Sequence, residues 1–263
     1  VDPLDFVSSL ARRCGALLLD GFGGPHQISE KRPRDVVTEM DRASEAVVVA
    51  AVREHFPTAV ILGEEGGVYE ASGNERFIVD PLDGTTNYAH GYPMFCVSIA
   101  YERDGVLEAG AIDAPFLGLH FSARRGGGAS LNGRPIHVSD TATLESALVC
   151  TGFNPAAYDR NGRYFAALSR LAQGVRRDGS AALDLALVAA GRFDAFWEWD
   201  LKPWDVAAGA LIIAEAGGRV TAIDGSPFDV AAGSIAATNG MLHEAIRTAL
   251  LAAGGDASMP AQR

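Results

Sequence analysis

Cysteine is scarce in this chain: only Cys14, Cys96 and Cys150 among 263 residues. An odd, widely spaced set with no Cys-x-x-Cys pair excludes a disulfide framework and a thiolate zinc site. The three read as buried small hydrophobes in a reducing compartment. Long apolar runs are missing too. The longest candidate, Val206 to Ala216, is interrupted by Gly209 and Glu215, and it falls short of the ~18–20 residues that a membrane span needs. Basic charge is in deficit, with 22 Lys and Arg against 33 Asp and Glu and a formal net charge of -11. Binding to a nucleic-acid backbone needs clustered cations, so nucleic acid is not an expected partner. Neither a Cys-x₅-Arg loop nor a Gly-x-Ser-x-Gly elbow occurs, which leaves no signature of a covalent cysteine or serine intermediate. The opening residues show no basic segment followed by an apolar one, the pattern of a secretory signal. A cytoplasmic protein is the expectation.

What is present is an Ala- and Gly-rich chain with 48% hydrophobic and 8% aromatic residues, long enough for one large or two modest domains. Helical spacing of apolar residues runs from Leu4 to Leu19, and a second helix is expected over about Asp41 to His55, ending before Pro57. Then the period shortens. Ala59–Leu62, Phe77–Val79, Phe95–Tyr101, Val106–Ile112 and Leu119–Phe121 read as strands, with hairpin turns at Asp104-Gly105 and Asn132-Gly133. The second half alternates: strands at Ala147–Thr151, Val175–Arg177, Phe193–Trp197, Arg219–Ala222 and Ile235–Thr238, helices at Tyr158–Leu171, Ser180–Ala190, Trp204–Ala216 and Met241–Leu251. Consecutive strands after two helices, then alternating strands and helices, give an α/β chain with an α+β N-terminal half and an α/β C-terminal half. The expected division is 1–130 and 131–263, near the Gly126-Gly127-Gly128 stretch.

The most informative segment is Val79-Asp80-Pro81-Leu82-Asp83-Gly84-Thr85-Thr86-Asn87-Tyr88. A strand delivers two carboxylates three positions apart, Pro81 stiffens the turn between them, and Gly84 frees the backbone beyond. Hard divalent cations take oxygen ligands, and Mg²⁺ is held by few carboxylates together with phosphate oxygens. A helix beginning at Thr85 and Thr86 would offer N–H groups to an anion. As a turn alone the string is ordinary, since Asp, Pro and Gly each favour turns. Three further acidic clusters lie at element edges: Asp35 to Asp41, Gly63-Glu64-Glu65, and Trp204-Asp205. Taken singly, Asp41 and Asp205 also read as helix N-caps and the Glu pair as a solvated turn.

Together, Asp35-Val-Val-Thr-x-x-Asp41, Gly63-Glu-Glu, Asp80-Pro-Leu-Asp-Gly-Thr-Thr-Asn87 and Trp204-Asp-Val-Ala-Ala-Gly209 resemble, in order and spacing, the inositol monophosphatase family of Mg²⁺-dependent, lithium-sensitive phosphatases. The resemblance covers about Leu4 to Leu251. It implies a layered αβαβα sandwich, a homodimer, and two or three Mg²⁺ per subunit. Glu64, Asp80 and the Leu82 carbonyl are implied for a first cation, and Asp80, Asp83 and Asp205 for a second. The implied nucleophile is a water whose pKa the cation lowers, oriented by Glu64 with Thr85 and Asp41 in support. Gly84, Thr85 and Thr86 would cradle the phosphate. Lys31 is the weaker match to an upstream family lysine, because its gap to Asp35 is one residue short. The segment Gly179-Ser180-Ala181-Ala182 and Glu198 would read hydroxyls of the leaving group. The implied activity is hydrolysis of inositol 1-phosphate and related polyol phosphates. The alternatives are histidinol phosphate, fructose 1,6-bisphosphate or another small phosphomonoester, or a role as a protein partner.

Overall fold

The structure is a computed structural model that describes residues 1–32, 35–153 and 158–254. Helix α1 (Pro3–Gly21) starts on an Asp2 cap that accepts from the N–H groups of Leu4 and Asp5. After a short hairpin, β1 (Ser29–Arg32) and β2 (Asp35–Val37), comes α2 (Glu39–His55). Its N-cap is Thr38, not Asp41, which sits one turn in and closes a capping box with Thr38.

One sheet follows: β3 (Val60–Gly63), β4 (Gly67–Tyr69), β5 (Glu75–Asp83), β6 (Cys96–Arg103), β7 (Val106–Ala114), β8 (Leu119–Arg124), β9 (Gly128–Leu131) and β10 (Arg134–Pro135), with the short α3 (Thr85–Ala89) after β5. Its spatial order is β10-β9-β8-β7-β6-β5-β3-β4, antiparallel except where β3 pairs with β5. Asp104 and Gly105, and likewise Asn132 and Gly133, all have positive φ, as two-residue turns joining twisted strands require.

The rest of the chain supplies β11 (Leu148–Thr151), α4 (Tyr158–Leu171), β12 (Gly174–Arg176), α5 (Ala181–Ala189), β13 (Ala195–Trp199), α6 (Pro203–Glu215), β14 (Arg219–Thr221), β15 (Ser234–Thr238) and α7 (His243–Gly254). The second sheet runs β12-β11-β13-β15-β14. Helices α1 and α2 cover the outer face of the first sheet, α5 and α6 fill the space between the sheets, and α4 and α7 cover the second. The result is the five-layer αβαβα sandwich with mixed α/β content. Helices α5 and α6 are apolar almost all round, as a helix enclosed between two sheets has to be. The first sheet ends at Pro135 and the second begins at Leu148. We propose a two-part division of the chain near this point.

Several elements are longer than their sequence signals. The expected strand Phe77–Val79 continues through Asp83 because the Asp80–Asp83 stretch keeps pairing with β6 across a bulge. Pro81 has no N–H to give to a ladder, which is where sheets tolerate a bulge.

Close packing of α5 on α6 depends on Gly209: a Cβ there would meet Leu185 Cβ at 2.6 Å. On helix propensity alone Gly209→Ala gains roughly 1 kcal/mol, whereas overpacking costs about 1–3 kcal/mol. We expect the contact to win and the variant to lose about 1–2 kcal/mol in urea unfolding; a stabilised variant would contradict the packing.

Candidate active site

The bulge at the end of β5 places two carboxyls where the layers meet. Asp80 pairs in register with Ser98 and Asp83 with Cys96. Asp80 is 1% exposed, and its Oδ1 accepts from Leu82 N–H at 3.1 Å. Behind it, Ser44 Oγ donates to the Pro81 carbonyl at 2.9 Å, tying the turn to α2. Gly84 has φ +93°, and a Cβ there would meet the Met94 carbonyl at 2.8 Å, so both conformation and space demand glycine. Beyond it α3 makes a single short turn whose first N–H groups have no intrahelical acceptor. Thr85 is half-buried there and Thr86 exposed.

Thr85 Oγ1 lies 2.9 Å from Asp41 Oδ1 and 3.0 Å from the Leu82 carbonyl. Asp41 is fully buried, and its other oxygen accepts from Thr38 N–H at 2.8 Å and Thr38 Oγ1 at 2.6 Å. The structure thus joins the Asp35–Asp41 motif to the β5 segment through one threonine. The side chains of Lys31 and Asp35 lie outside the described residues.

Glu64 begins the turn after β3, its N–H bonded to the Val79 carbonyl at 3.2 Å. A residue that sequence reasoning missed holds this turn. Glu45, on α2 and 3% exposed, accepts from the N–H groups of Glu65 (2.9 Å) and Gly66 (2.7 Å) and from the Tyr69 hydroxyl (2.8 Å). Gly63 is required beneath it, since a Cβ would press on the Glu45 carboxylate. The available signal was a glutamate among the buried-face positions of a helical pattern, where an acid needs partners.

Asp205 enters from the first turn of α6, with Oδ2 accepting from Lys202 N–H at 2.6 Å. It is not the N-cap; the helix starts two residues earlier, at Pro203. From the other side, Asp83 Oδ2 accepts from Ser180 Oγ (2.8 Å) and Ala182 N–H (2.6 Å) at the start of α5. Asn87 Nδ2 donates to the carbonyls of Met94 (2.6 Å) and Asp178 (2.8 Å), the second bond tying α3 to the residue just before Gly179. Glu198 is the last residue but one of buried β13, 6% exposed, and is no surface acid. A Cβ on Gly152 would overlap its carboxylate. Trp197 and Trp199 belong to the core beneath α4 and α7, with Trp199 stacked on Tyr164 at 4.1 Å. Asp184, also missed from sequence, is 1% exposed with both carboxyl oxygens unpartnered.

The electrostatics follow from this crowding. Burial, then the charges of Glu64, Asp83 and Asp205, push the Asp80 carboxyl well above its ordinary value. Burial and the Asp83 charge do the same to Asp205. Asp83 is raised by burial but restrained by its hydrogen bonds to Ser180 and the start of α5. Glu198 is raised well above its usual range by burial and by Asp205 and Asp83. Among the described residues no group of three or more His, Cys, Asp or Glu side chains is arranged so as to hold a metal ion as it stands. Carboxylates that repel one another this strongly nevertheless fit a hard divalent cation. Mg²⁺ keeps several waters and shares itself with phosphate oxygens, so it needs an open set rather than a cage. Glu64, Asp80, Asp83, Asp205 and the Leu82 carbonyl are the oxygen donors available. All three cysteines are buried free thiols, and burial pushes Cys14 up to about 11, which excludes it as a nucleophile at neutral pH.

Comparison with known proteins decides the family. The model of the inositol monophosphatase family matches residues 2–254. The chain belongs to this family. It is 44% identical over 257 residues to the inositol-1-monophosphatase of Synechocystis, covering 95% of this chain and 88% of that one. It is 47% identical to a Pseudomonas aeruginosa protein called Nus factor SuhB, covering 94% and 95%. Among solved structures, the inositol monophosphatase of Anabaena superposes with a TM-score of 0.84 at 46% identity, covering 95% of each chain.

Protonation and cation binding compete at this cluster. Because the folded carboxyls are raised, the metal-free native state binds more protons than the unfolded chain above the usual carboxylate range, and its stability falls as pH rises. A cation displaces those protons, so the Mg²⁺-induced rise in Tm over an EDTA control should be larger at about pH 8 than at about pH 5.5. A rise independent of pH would count against cation binding here.

Proposed function

We propose that this phosphatase hydrolyses inositol 1-phosphate and related polyol phosphates in a Mg²⁺-dependent reaction. The observation that carries this reading is the convergence of acids from the turn after β3, the end of β5 and the start of α6: the charges of Glu64, Asp83 and Asp205 all bear on buried Asp80, and those of Asp83 and Glu64 on Asp205. These acids sit beside a helix start and a threonine–aspartate pair. Such an arrangement suits a cation-assisted reaction of a phosphate ester.

Glu64, Asp80 and the Leu82 carbonyl would hold one cation, and Asp80, Asp83 and Asp205 a second. When bound, Mg²⁺ neutralises phosphate oxygens and acidifies water. The N–H groups of Gly84, Thr85 and Thr86 receive the phosphate's remaining oxygens. Thr85 donates its hydroxyl hydrogen bond to Asp41 Oδ1, which leaves an Oγ1 lone pair to accept from a water and aim it at phosphorus. Glu64 takes a proton from that water as its oxygen bonds to phosphorus and the P–O bond to the leaving group breaks, and a second water gives the departing alkoxide its proton. A covalent phospho-enzyme is not required. On the leaving-group side, the Gly179 and Ala181 backbone and Glu198 receive vicinal hydroxyls; a carboxylate that accepts from two hydroxyls discriminates against esters lacking them. A homodimer, a cytoplasmic location and lithium inhibition at the second cation belong to the same reading. A second role, as a protein partner, is favoured by the 47% identity to a relative called a Nus factor.

The test is phosphate release with Mg²⁺ from myo-inositol 1-phosphate, histidinol phosphate, fructose 1,6-bisphosphate and adenosine 3′,5′-bisphosphate. We expect preference for the inositol ester. Asp205→Asn should lower turnover at least about 100-fold, the scale on which even outer-shell metal partners act, without lowering Tm in EDTA. Preference for another ester would overturn the leaving-group assignment, and near-normal turnover by Asp205→Asn would overturn the cation assignment.

A further inference from the structure

Ser180 occupies the N-cap position of α5, where a serine ordinarily folds its hydroxyl back onto an N–H of the first turn and contributes ~1 kcal/mol. Here it makes no such bond. Its Oγ donates instead to Asp83 Oδ2 at 2.8 Å, and the same carboxylate oxygen takes the Ala182 N–H at 2.6 Å. Asp83, from the end of β5, therefore supplies the cap that Ser180 gives up. A third group completes the arrangement. Cys96, the register partner of Asp83 on β6, places Sγ 3.8 Å from Oδ2 and 3.6 Å from Ser180 Oγ. Ser180 is 1% exposed, and its hydroxyl is engaged by Asp83 Oδ2 with Cys96 Sγ beside it.

We propose that Ser180 is a positioning residue for Asp83: its hydroxyl locks Oδ2 against the start of α5, which commits that oxygen to the scaffold and fixes the plane in which the carboxylate meets a cation. This rests on the reading of Asp83 as a cation ligand. Pairing with Cys96 holds the Asp83 backbone at the end of β5, and the orientation of its carboxylate is then set by the hydrogen bonds that Oδ2 accepts. Outer hydrogen bonds of this kind fix a ligand's orientation, and their loss typically costs 10–100-fold in metal affinity. The Gly-Ser-Ala-Ala segment thereby serves two ends. Its backbone faces the leaving group, while its serine side chain serves the cation site. Geometry at the metal and geometry at the leaving group are set by one helix start.

The test uses the full chain and three proteins: wild type, Ser180→Ala and Ser180→Thr, the last keeping the donor. Mg²⁺ binding is measured by calorimetric titration without substrate, alongside kcat and KM for myo-inositol 1-phosphate at saturating Mg²⁺. Expected is a Mg²⁺ Kd raised about 10–100-fold in Ser180→Ala, recovered in Ser180→Thr, with KM at saturating Mg²⁺ changed less than about twofold. Unchanged Mg²⁺ affinity in Ser180→Ala, or a raised KM as the sole effect, would overturn the proposal and return the hydroxyl to substrate reading. A wild-type chain that takes up no Mg²⁺ would overturn the cation reading itself. Should Ser180→Ala fail to fold, a weakened Mg²⁺ affinity in Ser180→Cys supports the proposal, and wild-type affinity in that variant overturns it.

Discussion

Repulsion among carboxylates at the junction of the two sheets is the constraint on which the rest of this molecule depends. The charges of Glu64, Asp83 and Asp205 raise the buried Asp80 carboxyl, and those of Asp83 and Glu64 raise Asp205, where the layers exclude water from much of their surface. Left alone, such a cluster opposes folding, because charge in a poorly solvated place costs several kcal/mol per ion. The protein accepts that cost at one point and organises its layers around it. Carboxylates held in this state are poised for a cation, and the unfavourable energy of the empty cluster becomes part of the driving force for binding.

The supports are polar and come from separate layers. Helix α2 contributes Ser44 to the β5 turn, Glu45 to the Glu64 turn and Asp41 to Thr85. Helix α5 contributes its first N–H groups to Asp83, and α6 brings Asp205 with its own backbone bond. Each acid therefore has one face committed to the scaffold. Small residues allow this convergence: Gly63, Gly84 and Gly152 each stand where a Cβ would strike Glu45, the Met94 carbonyl or Glu198. Apolar α5 and α6 fill the space between the sheets, so that the ends of β5, β13 and α6 meet rather than splay.

Much of this was legible in the sequence, and for physical reasons. The Asp80–Asn87 segment concentrates metal-ligand chemistry, turn chemistry and a helix start in consecutive residues, so it reads without knowledge of the fold. The mixed α/β content followed from the period of apolar residues, and the layered sandwich from resemblance to the family. Boundaries were harder. Phe77–Val79 was the readable part of a strand whose continuation carries Pro81, a residue that normally argues against a strand. Asp41 and Asp205 read as caps because a cap and a first-turn acid look alike in sequence; only the observed helix starts separate them. Glu45, Asp184 and Cys96 stayed hidden for a different reason. The partners of Glu45 and Cys96 lie 13 or more residues away and the Asp184 carboxyl oxygens have none, and no local pattern announces such a side chain. The direction of the Ser180 hydroxyl belongs to the same class, since a serine at a helix start is expected to cap its own helix.

The most direct measurement is an anomalous difference map from crystals soaked in Mn²⁺, which shares Mg²⁺'s preference for oxygen ligands and scatters anomalously. Expected is density enclosed by Asp80, Asp83 and Asp205, with or without a second peak between Asp80 and Glu64. A cluster without anomalous density, at a Mn²⁺ concentration that sustains phosphate release, would contradict the idea that these carboxylates exist to hold the cation.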